Sequence, residues 1–396
     1  MADSFTKVSS QSWGSRIGGS FKGILFGIAL FLASFAVLWW NEGNFIHTKR
    51  GLEEGLGAVI KTTPDAVLPE NDGKLVYMSG ETKTEDVLVD EEFGISENAI
   101  KLSRDVEMYQ WTEESESEET EKIGGGTETT TTYTYNKTWE SSLINSDEFE
   151  IPEGHSNPQS FPYNGFTNSA ETVTLGAFEL SYSQIGDINN FTSIDIPPVD
   201  STKIKTARMR DEGGQKIVYL GKGSPSSPEI GDTKISFSVV YPGTISIVSQ
   251  QHDNTFEPYQ TQEDTQIDMV SIGNVSAENM FASAQQTNVI ITWVLRLVGF
   301  LMMFFGLRMV FAPLEVLASV LPFLGRLVGM GVGLIAGMVS GLLSFVTIAI
   351  AWLYYRPLIG IALLAVGVGI FILLYRRGQK KKLAAVPVVP QQPTTP

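Results

Sequence analysis

Four long apolar stretches constrain this chain more than any other feature of its sequence. A helix rises about 1.5 Å per residue, so about 20 apolar residues are needed to cross the hydrocarbon core of a bilayer. Stretches of that length occupy residues 21–40, 289–311, 327–353 and 357–375. They lack the polar–apolar alternation of membrane β-barrel strands. The sequence therefore predicts a multi-pass α-helical membrane protein with four spanning helices.

The segment between the first two spans has a different composition from the rest of the chain. Residues 42–288 carry 16 lysines and arginines against 42 aspartates and glutamates, whereas the remainder carries 12 against 2. A basic nucleic-acid footprint is missing from this segment, so we expect no DNA or RNA partner. The chain has no cysteine, which excludes disulfides, zinc ribbons and thiol nucleophiles. We predict a separate acidic domain over residues 41–288.

Basic residues at the ends of the spans predict the orientation. They flank the N-terminal tail 1–20, the connection 312–326 and the C-terminal tail 376–396. Cytoplasmic loops and tails carry the excess of lysine and arginine in membrane proteins. We therefore expect both tails in the cytoplasm and the acidic domain in the periplasm or an organelle lumen. The connection itself is too short to span and fits an interfacial or a re-entrant segment.

The first apolar stretch fits an uncleaved anchor better than a cleaved signal peptide. It is longer than a signal-peptide core, and small residues do not follow it. Trp39 and Trp40 stand at its end instead, and tryptophan is enriched at membrane interfaces. We assign both residues as interface anchors.

The acidic domain has the texture of β-structure. Alternating residues over 101–111 and Thr- and Tyr-rich residues over 126–139 enclose the acidic run 113–119 and three glycines. This pattern predicts a long antiparallel hairpin with an acidic tip, either solvated or holding calcium. A second hairpin is predicted around Pro242-Gly243. We therefore predict a β-rich domain with some helix (α+β). It forms either one module or two, at about 65–165 and 190–270.

Small residues recur every four positions in the third predicted span. Such a strip lets another helix approach closely in lipid, inside one molecule or between subunits. We predict helix packing on these glycines, with self-association as one outcome. They are Gly325, Gly329, Gly333, Gly337 and Gly341.

Charged residues in or beside the spans are further candidates. Arg296 and Arg308 interrupt the second span and fit snorkelling or an internal ion pair, with an ion path as the alternative. Arg356 lies between the third and fourth spans, and we assign it, together with Arg296 and Arg308, to the membrane interface. The basic cluster after the last span is predicted to contact anionic lipids at the cytoplasmic face. It contains Arg376, Arg377, Lys380, Lys381 and Lys382.

Catalytic signatures are lacking. The three histidines, His47, His155 and His252, are far apart in sequence and outside the spans. Nucleophile-elbow, zinc-protease, phosphate-loop and dinucleotide motifs are missing. We therefore predict no enzyme, no cofactor and no catalytic or metal site.

Several short segments resemble the LUMA or transmembrane protein 43 family. They are Asn41-Glu42-Gly43, Leu52-Glu53-Glu54-Gly55, Val106-Glu107-Met108-Tyr109-Gln110-Trp111, Thr132-Tyr133-Thr134-Tyr135-Asn136 with Trp139, Gly154-His155-Ser156-Asn157-Pro158, Gly231-Asp232, Thr292-Trp293-Val294-Leu295-Arg296 and Tyr355-Arg356-Pro357-Leu358. The resemblance implies four spans, tails on the cytosolic or nucleoplasmic side, and a large domain on the other side. It also implies self-association and membrane-protein partners, with no catalytic residues to carry over.

Taken together, the sequence predicts a non-enzymatic membrane scaffold that self-associates and organises membrane-protein partners. A channel or transporter using Arg296, Arg308 and residues 312–326 is the alternative, and a membrane-tethered hydrolase is the third hypothesis. The expected membrane is the cytoplasmic membrane of a bacterium, or the endoplasmic reticulum and inner nuclear membrane of a eukaryote.

Overall fold

The computed structural model of the chain describes residues 3–197, 207–212 and 214–357. The helices are α1 (Trp13–Ala58), α2 (Tyr182–Asp187), α3 (Ala277–Ala318) and α4 (Pro322–Tyr355). The strands are β1 (Asp3–Gln11), β2 (Ile60–Lys61), β3 (Leu75–Lys83), β4 (Val87–Asp90), β5 (Ile95–Asn98), β6 (Lys101–Glu121), β7 (Thr127–Glu140), β8 (Phe166–Ser169), β9 (Thr174–Leu175), β10 (Phe178–Glu179), β11 (Thr192–Ile194), β12 (Ala207–Glu212), β13 (Gln215–Leu220), β14 (Thr233–Val240), β15 (Thr244–His252), β16 (Thr255–Glu257), β17 (Tyr259–Gln260), β18 (Gln266–Ile267) and β19 (Met269–Ile272). The prediction of a β-rich domain between the first two apolar stretches is confirmed.

Three helices of the described chain are long and apolar enough to cross a membrane: α1, α3 and α4. The prediction of four spanning helices is therefore wrong for the fold described here. The fourth predicted span, residues 357–375, lies outside the described residues apart from Pro357. All three helices are longer than the predicted spans. In α1, for example, the helix continues into polar sequence at both ends of the apolar stretch.

The connection between the second and third spans is shorter than the sequence indicated. Residues 312–318 continue α3 through Pro313, and α4 begins at Pro322. The chain turns between them, with the Ser319 N–H donating to the Val316 carbonyl at 3.3 Å. Proline fits the first turn of a helix because its missing N–H would have no helical partner there. The segment predicted as interfacial or re-entrant is therefore divided between two helices.

The described chain forms two compact units. The β unit comprises residues 3–18, 47–288 and 316–326, and the helical unit comprises residues 19–46, 289–315 and 327–357. Each of the three long helices therefore contributes to both units.

The β unit is built on two larger sheets. The eight-stranded sheet has the order β1-β7-β6-β14-β13-β12, with β11 beside β14 and β8 beside β6. The seven-stranded sheet has the order β10-β9-β3-β15-β16, with β19 beside β15 and β2 beside β3. The pairs β4-β5 and β17-β18 complete the β-structure of the described residues. The long hairpin is confirmed, because β6 and β7 pair from Met108 and Glu140 to Glu121 and Thr127.

The second predicted hairpin is wrong. Strand β14 pairs with β6 and β13, whereas β15 pairs with β3 and β19, so the two strands lie in different sheets. The connection at Pro242-Gly243 is held by Thr82, whose hydroxyl accepts from the Gly243 N–H at 3.0 Å. Each sheet combines strands from both halves of the acidic segment. The division into modules at 65–165 and 190–270 is therefore not a division of this structure.

Apolar residues of the strands form separate cores in the β unit. One core surrounds Met78, Phe178 and Ile247 on the seven-stranded sheet. A second surrounds Leu102, Ile235 and Phe237 on the eight-stranded sheet. The strict alternation of β14 explains the second core, because every other side chain points to the same face.

The N-terminal tail belongs to the β unit. Strand β1 pairs antiparallel with β7 over nine residues, from Asp3 opposite Tyr135 to Gln11 opposite Thr127. The sequence placed the tail 1–20 and the domain 41–288 on opposite sides of a membrane. A bilayer crossed between them would prevent this ladder from forming. The β1–β7 ladder therefore predicts that the tail lies on the same side of the membrane as the β unit, whereas the basic residues flanking the spans predict the opposite side. An experiment can decide between these two orientations.

Candidate functional site

A buried ion pair joins the three long helices within the helical unit. Glu42 of α1 has no solvent-exposed surface. Its carboxylate accepts hydrogen bonds from Nε of Arg296 at 2.6 Å and from Nη2 of Arg296 at 2.8 Å. The same carboxylate accepts from Nε1 of Trp352 at 2.7 Å. Since Arg296 lies on α3 and Trp352 on α4, one carboxylate fixes all three helices.

The surroundings of this cluster, Glu42–Arg296–Trp352, explain how two charges are accommodated away from water. Arginine binds a carboxylate through two parallel hydrogen bonds, which is the strongest common geometry for such a pair. The guanidinium also lies over the Trp293 ring at 4.8 Å and the Trp352 ring at 5.8 Å. Aromatic faces stabilise a cation that has lost its water. The pair is therefore satisfied inside the protein.

Neighbouring residues of α1 extend the junction. The side-chain amide of Asn41 donates to the Thr292 carbonyl at 3.1 Å. Gly43 lies against the Tyr355 ring, and an added Cβ would come within 2.6 Å of the tyrosine oxygen. The Arg356 guanidinium lies 5.0 Å from the centre of the Phe45 ring. Three consecutive residues after the first span therefore have separate contacts in the junction. Asn41 provides a hydrogen-bonding amide, Glu42 provides the charge, and Gly43 leaves space for the Tyr355 ring.

The predicted arginine and tryptophan sites have different outcomes. Arg296 forms the internal ion pair that was one of its alternatives. Arg308 lies 3.7 Å from Glu315, and its side chain is 42% exposed. Trp39 packs on Tyr354 with ring centres 5.6 Å apart, whereas Trp40 is 59% exposed. The assignment of Trp39, Trp40, Arg296, Arg308 and Arg356 to a membrane interface stays a prediction.

The predicted glycine strip on α4 is only partly in contact with other residues. An added Cβ on Gly337 would lie 3.8 Å from Phe304, and one on Gly341 would lie 4.0 Å from Phe300. These are ordinary contacts with side chains of α3. Gly329 faces the Glu315 carboxylate, and Gly325 lies against Ser319. An added Cβ on Gly333 would meet nothing within 4 Å among the described residues beyond its own turn of helix.

Helices α1 and α3 meet at Gly27 and Gly306, two glycines outside the predicted glycine strip. An added Cβ on Gly27 of α1 would lie 2.8 Å from the Gly306 carbonyl oxygen of α3. Likewise, an added Cβ on Gly306 would lie 2.8 Å from the Gly27 carbonyl oxygen. Backbone meets backbone here, which only residues without a side chain allow. This α1–α3 contact therefore depends on glycine on both helices.

Substitution of these glycines should separate tight packing from open surface. We expect Gly27→Leu or Gly306→Leu to lower the free energy of unfolding by at least about 1–3 kcal/mol, because the backbone must move apart. Gly333→Leu, a matched change on α4, should leave stability unchanged. Thermal unfolding of the full chain in one detergent would measure all three. Equal melting temperatures for Gly306→Leu and the unchanged chain would contradict the α1–α3 contact.

Two signals in the sequence could have found this site. Gly23 and Gly27 are four residues apart, which is the small-residue spacing that favours helix contact in lipid. Glu42 is an acidic residue two positions after the end of the first predicted span. An acidic residue at a span end and an arginine inside the next span are candidates for pairing. The partner Trp352 had no signal, because tryptophan near a span end also fits the interface.

The remaining candidates from the sequence are the C-terminal basic cluster and a calcium site in the acidic run. The basic cluster Arg376, Arg377, Lys380, Lys381 and Lys382 lies outside the described residues. Over 3–197, 207–212 and 214–357, no group of three or more histidine or acidic side chains is placed to hold a metal ion. The acidic run of β6 is instead paired along the β7 ladder.

These features define a multi-pass membrane protein whose long helices are joined by an internal ion pair and carry a β-rich domain. The family model of Transmembrane protein 43 matches residues 108–357. The chain belongs to this family, as the resemblance predicted. It is 33% identical to human Transmembrane protein 43 over 387 residues, which cover 94% of each chain. It is 33% identical to the mouse protein over 358 residues, 87% of each chain.

A more distant relative gives the same result. The Drosophila melanogaster Transmembrane protein 43 homolog is 29% identical over 370 residues, covering 88% of this chain and 93% of the relative. No solved structure matches the chain. Three segments that carried the resemblance supply Glu42, Arg296 and Arg356 of the helix junction, whereas Trp352 lies outside those segments.

Proposed function

We propose that this protein is a non-enzymatic membrane scaffold that associates with itself and with other membrane proteins. The helical unit is the part that holds the chain in the membrane, and the acidic β unit is the part that offers surface to partners. Anionic lipids at the cytoplasmic face are further proposed partners of the basic cluster 376–382. The membrane remains a prediction, bacterial cytoplasmic or eukaryotic endoplasmic reticulum and inner nuclear membrane.

The observation that carries the proposal is the closure of the Glu42–Arg296–Trp352 cluster. A charge that serves transport must be available to the transported ion or proton. Both oxygens of Glu42 already accept hydrogen bonds, and the Arg296 guanidinium pairs with Glu42 and lies over two tryptophan rings. This arrangement favours a fixed joint between helices.

Open helix surface supports self-association. The α4 residues Met330, Leu334 and Phe345 are each more than 60% exposed, and Gly333 lies among them. Small residues beside large apolar ones suit packing against another helix in lipid. The open side of α4 is therefore the surface that we assign to a second copy.

Oligomer size in lipid nanodiscs tests the proposal. We expect the unchanged chain to form a discrete oligomer and Gly333→Leu to shift it to smaller species at an unchanged melting temperature. Gly19→Leu, at an open glycine of α1, is the matched control and should keep the oligomer. A monomer for the unchanged chain, or equal sizes for both variants, would contradict self-association.

A channel or transporter is the second candidate, and one observation favours it. Ser340, Ser344 and Thr347 place buried hydroxyls on one face of α4. The Ser340 hydroxyl has no hydrogen-bond partner among the described residues. Ion flux into liposomes distinguishes the candidates: the scaffold predicts flux equal to that of empty liposomes. Flux that Ser340→Ala or Arg296→Ala changes would favour transport.

A further inference from the structure

His155 connects the N-terminal strand to the rest of the β unit. It lies in the segment after β7 and is 4% exposed. Its ring stacks on Tyr135 with centres 3.9 Å apart and meets the Trp111 ring edge-on at 4.7 Å. The imidazole is therefore fixed in orientation, and each nitrogen has a defined partner.

The two partners of His155 both accept hydrogen bonds. Nδ1 lies 2.9 Å from the Ile151 carbonyl oxygen, and Nε2 lies 3.1 Å from Oδ2 of Asp3. A carbonyl oxygen and an ionised carboxylate have no proton to donate. Neutral imidazole carries one N–H and can satisfy only one of them. Both contacts are satisfied together when the ring is protonated on both nitrogens.

We propose that protonation of His155 fastens the N-terminal end of β1 to the β unit, and that deprotonation releases it. The Ile151 contact should persist in the neutral ring, because Ile151 is only four residues away in the same segment and the His155 ring itself is buried. The Asp3 contact should be lost, since its side chain is 67% exposed and stands at a strand end. Every residue of β1 is exposed, and besides its ladder with β7 the strand is held by the Lys7–Glu150 ion pair and by the Phe5–Tyr133 ring contact, both farther along the strand than Asp3.

The other charged groups near His155 already have partners. The Tyr135 hydroxyl donates to Glu113 at 2.7 Å, and burial with this hydrogen bond raises the pKa of Tyr135 to about 12. Glu113 also accepts from the Glu150 N–H at 2.6 Å, and Glu150 pairs with Lys7 at 2.8 Å.

On the far side of the aromatic cluster, the Lys137 ammonium lies over the Trp111 ring at 4.3 Å. Of the side-chain types in this cluster, histidine is the one whose ordinary pKa lies between pH 5 and 8. A change in the attachment of β1 over this range therefore reports on His155.

A spin label at each end of β1 tests the proposal in the full chain in nanodiscs. The chain has no cysteine, so Ser4→Cys and Ser10→Cys each take one nitroxide. Between pH 5.5 and 8 we expect the ratio of mobile to immobile label at Ser4 to rise about two- to fivefold, as for an exposed ion pair. The Ser10 label, at the far end of the ladder, should stay immobile throughout.

Variants of Asp3 test whether the pH response comes from the contact between His155 and Asp3. The Asp3→Asn amide can donate to neutral His155, so its strand end should stay immobile at both pH values. Asp3→Ala should be mobile at both. The proposal is overturned by a Ser4 label that ignores pH, by an equal pH response in Asp3→Asn, or by a Ser10 label that is mobile at every pH.

Discussion

Arg296→Ala is expected to lower the free energy of unfolding by about 3–5 kcal/mol, because it leaves Glu42 buried and unpaired. Glu42 has no exposed surface and depends on Arg296 for two of its three hydrogen bonds. Thermal or denaturant unfolding of the full chain in one detergent, followed by tryptophan fluorescence, measures the loss. Trp352 donates to the same carboxylate, so its emission also reports on the junction.

The chain supplies a matched control on the same helix. Arg308 pairs with Glu315 at 3.7 Å and is 42% exposed, so Arg308→Ala should cost about 0–1 kcal/mol. Replacing both partners, as in Glu42→Leu with Arg296→Met, should recover much of the loss, because no buried charge remains. Equal costs for Arg296→Ala and Arg308→Ala would show that the buried pair does not join the helices.

Cysteines at Thr6 and Thr132 are expected to form an intramolecular disulfide in nearly every molecule. These residues lie directly opposite each other in the β1–β7 ladder. Opposed residues of an antiparallel pair have Cβ atoms about 4.5–5.5 Å apart, close enough to be bridged with small adjustments. Because the chain has no other cysteine, gel mobility before and after reduction gives a direct answer in native membranes.

The result decides whether the N-terminal tail shares a compartment with the β unit. Thr6→Cys with Glu128→Cys is the control, since four residues along a strand separate these positions by about 13 Å. Disulfide only in the opposed pair would place tail and hairpin on one side of the membrane. No disulfide in either pair, with the two thiols labelled from opposite sides, would instead support the orientation predicted from the basic flanks.

The sequence was sufficient where one local pattern has one physical solution. Long apolar runs must be helices in lipid, since no other open segment satisfies its backbone there. Alternation in β6 and β7 with glycines between them required a hairpin. It failed at Pro242-Gly243, where two alternating strands flank a turn signal but enter different sheets. Turn residues show that the chain bends and do not show which strand it pairs with next.

The same limit applies to the site. Arg296 was a candidate because a charged side chain inside a membrane span costs free energy, and its position within the apolar stretch is visible in the sequence. The sequence offered Glu42 only as one candidate partner, because Glu42 is 254 residues away and its contact with Arg296 exists only in the folded chain. The third partner, Trp352, lies on another helix and had no signal in the sequence. The glycine strip of α4 was selected by its repetition. The glycines in backbone contact, Gly27 and Gly306, are single positions on two different helices.

The sequence by itself determined the class of protein, the family, the β-rich acidic domain and the cost of burying Arg296. These depend on composition and local periodicity, which neighbours along the chain fix. Only the tertiary structure decided that Glu42 neutralises Arg296, that Gly27 meets Gly306, and that β1 pairs with β7. Each of these contacts joins distant segments, and its energy comes from geometry and burial that exist only once the chain has folded.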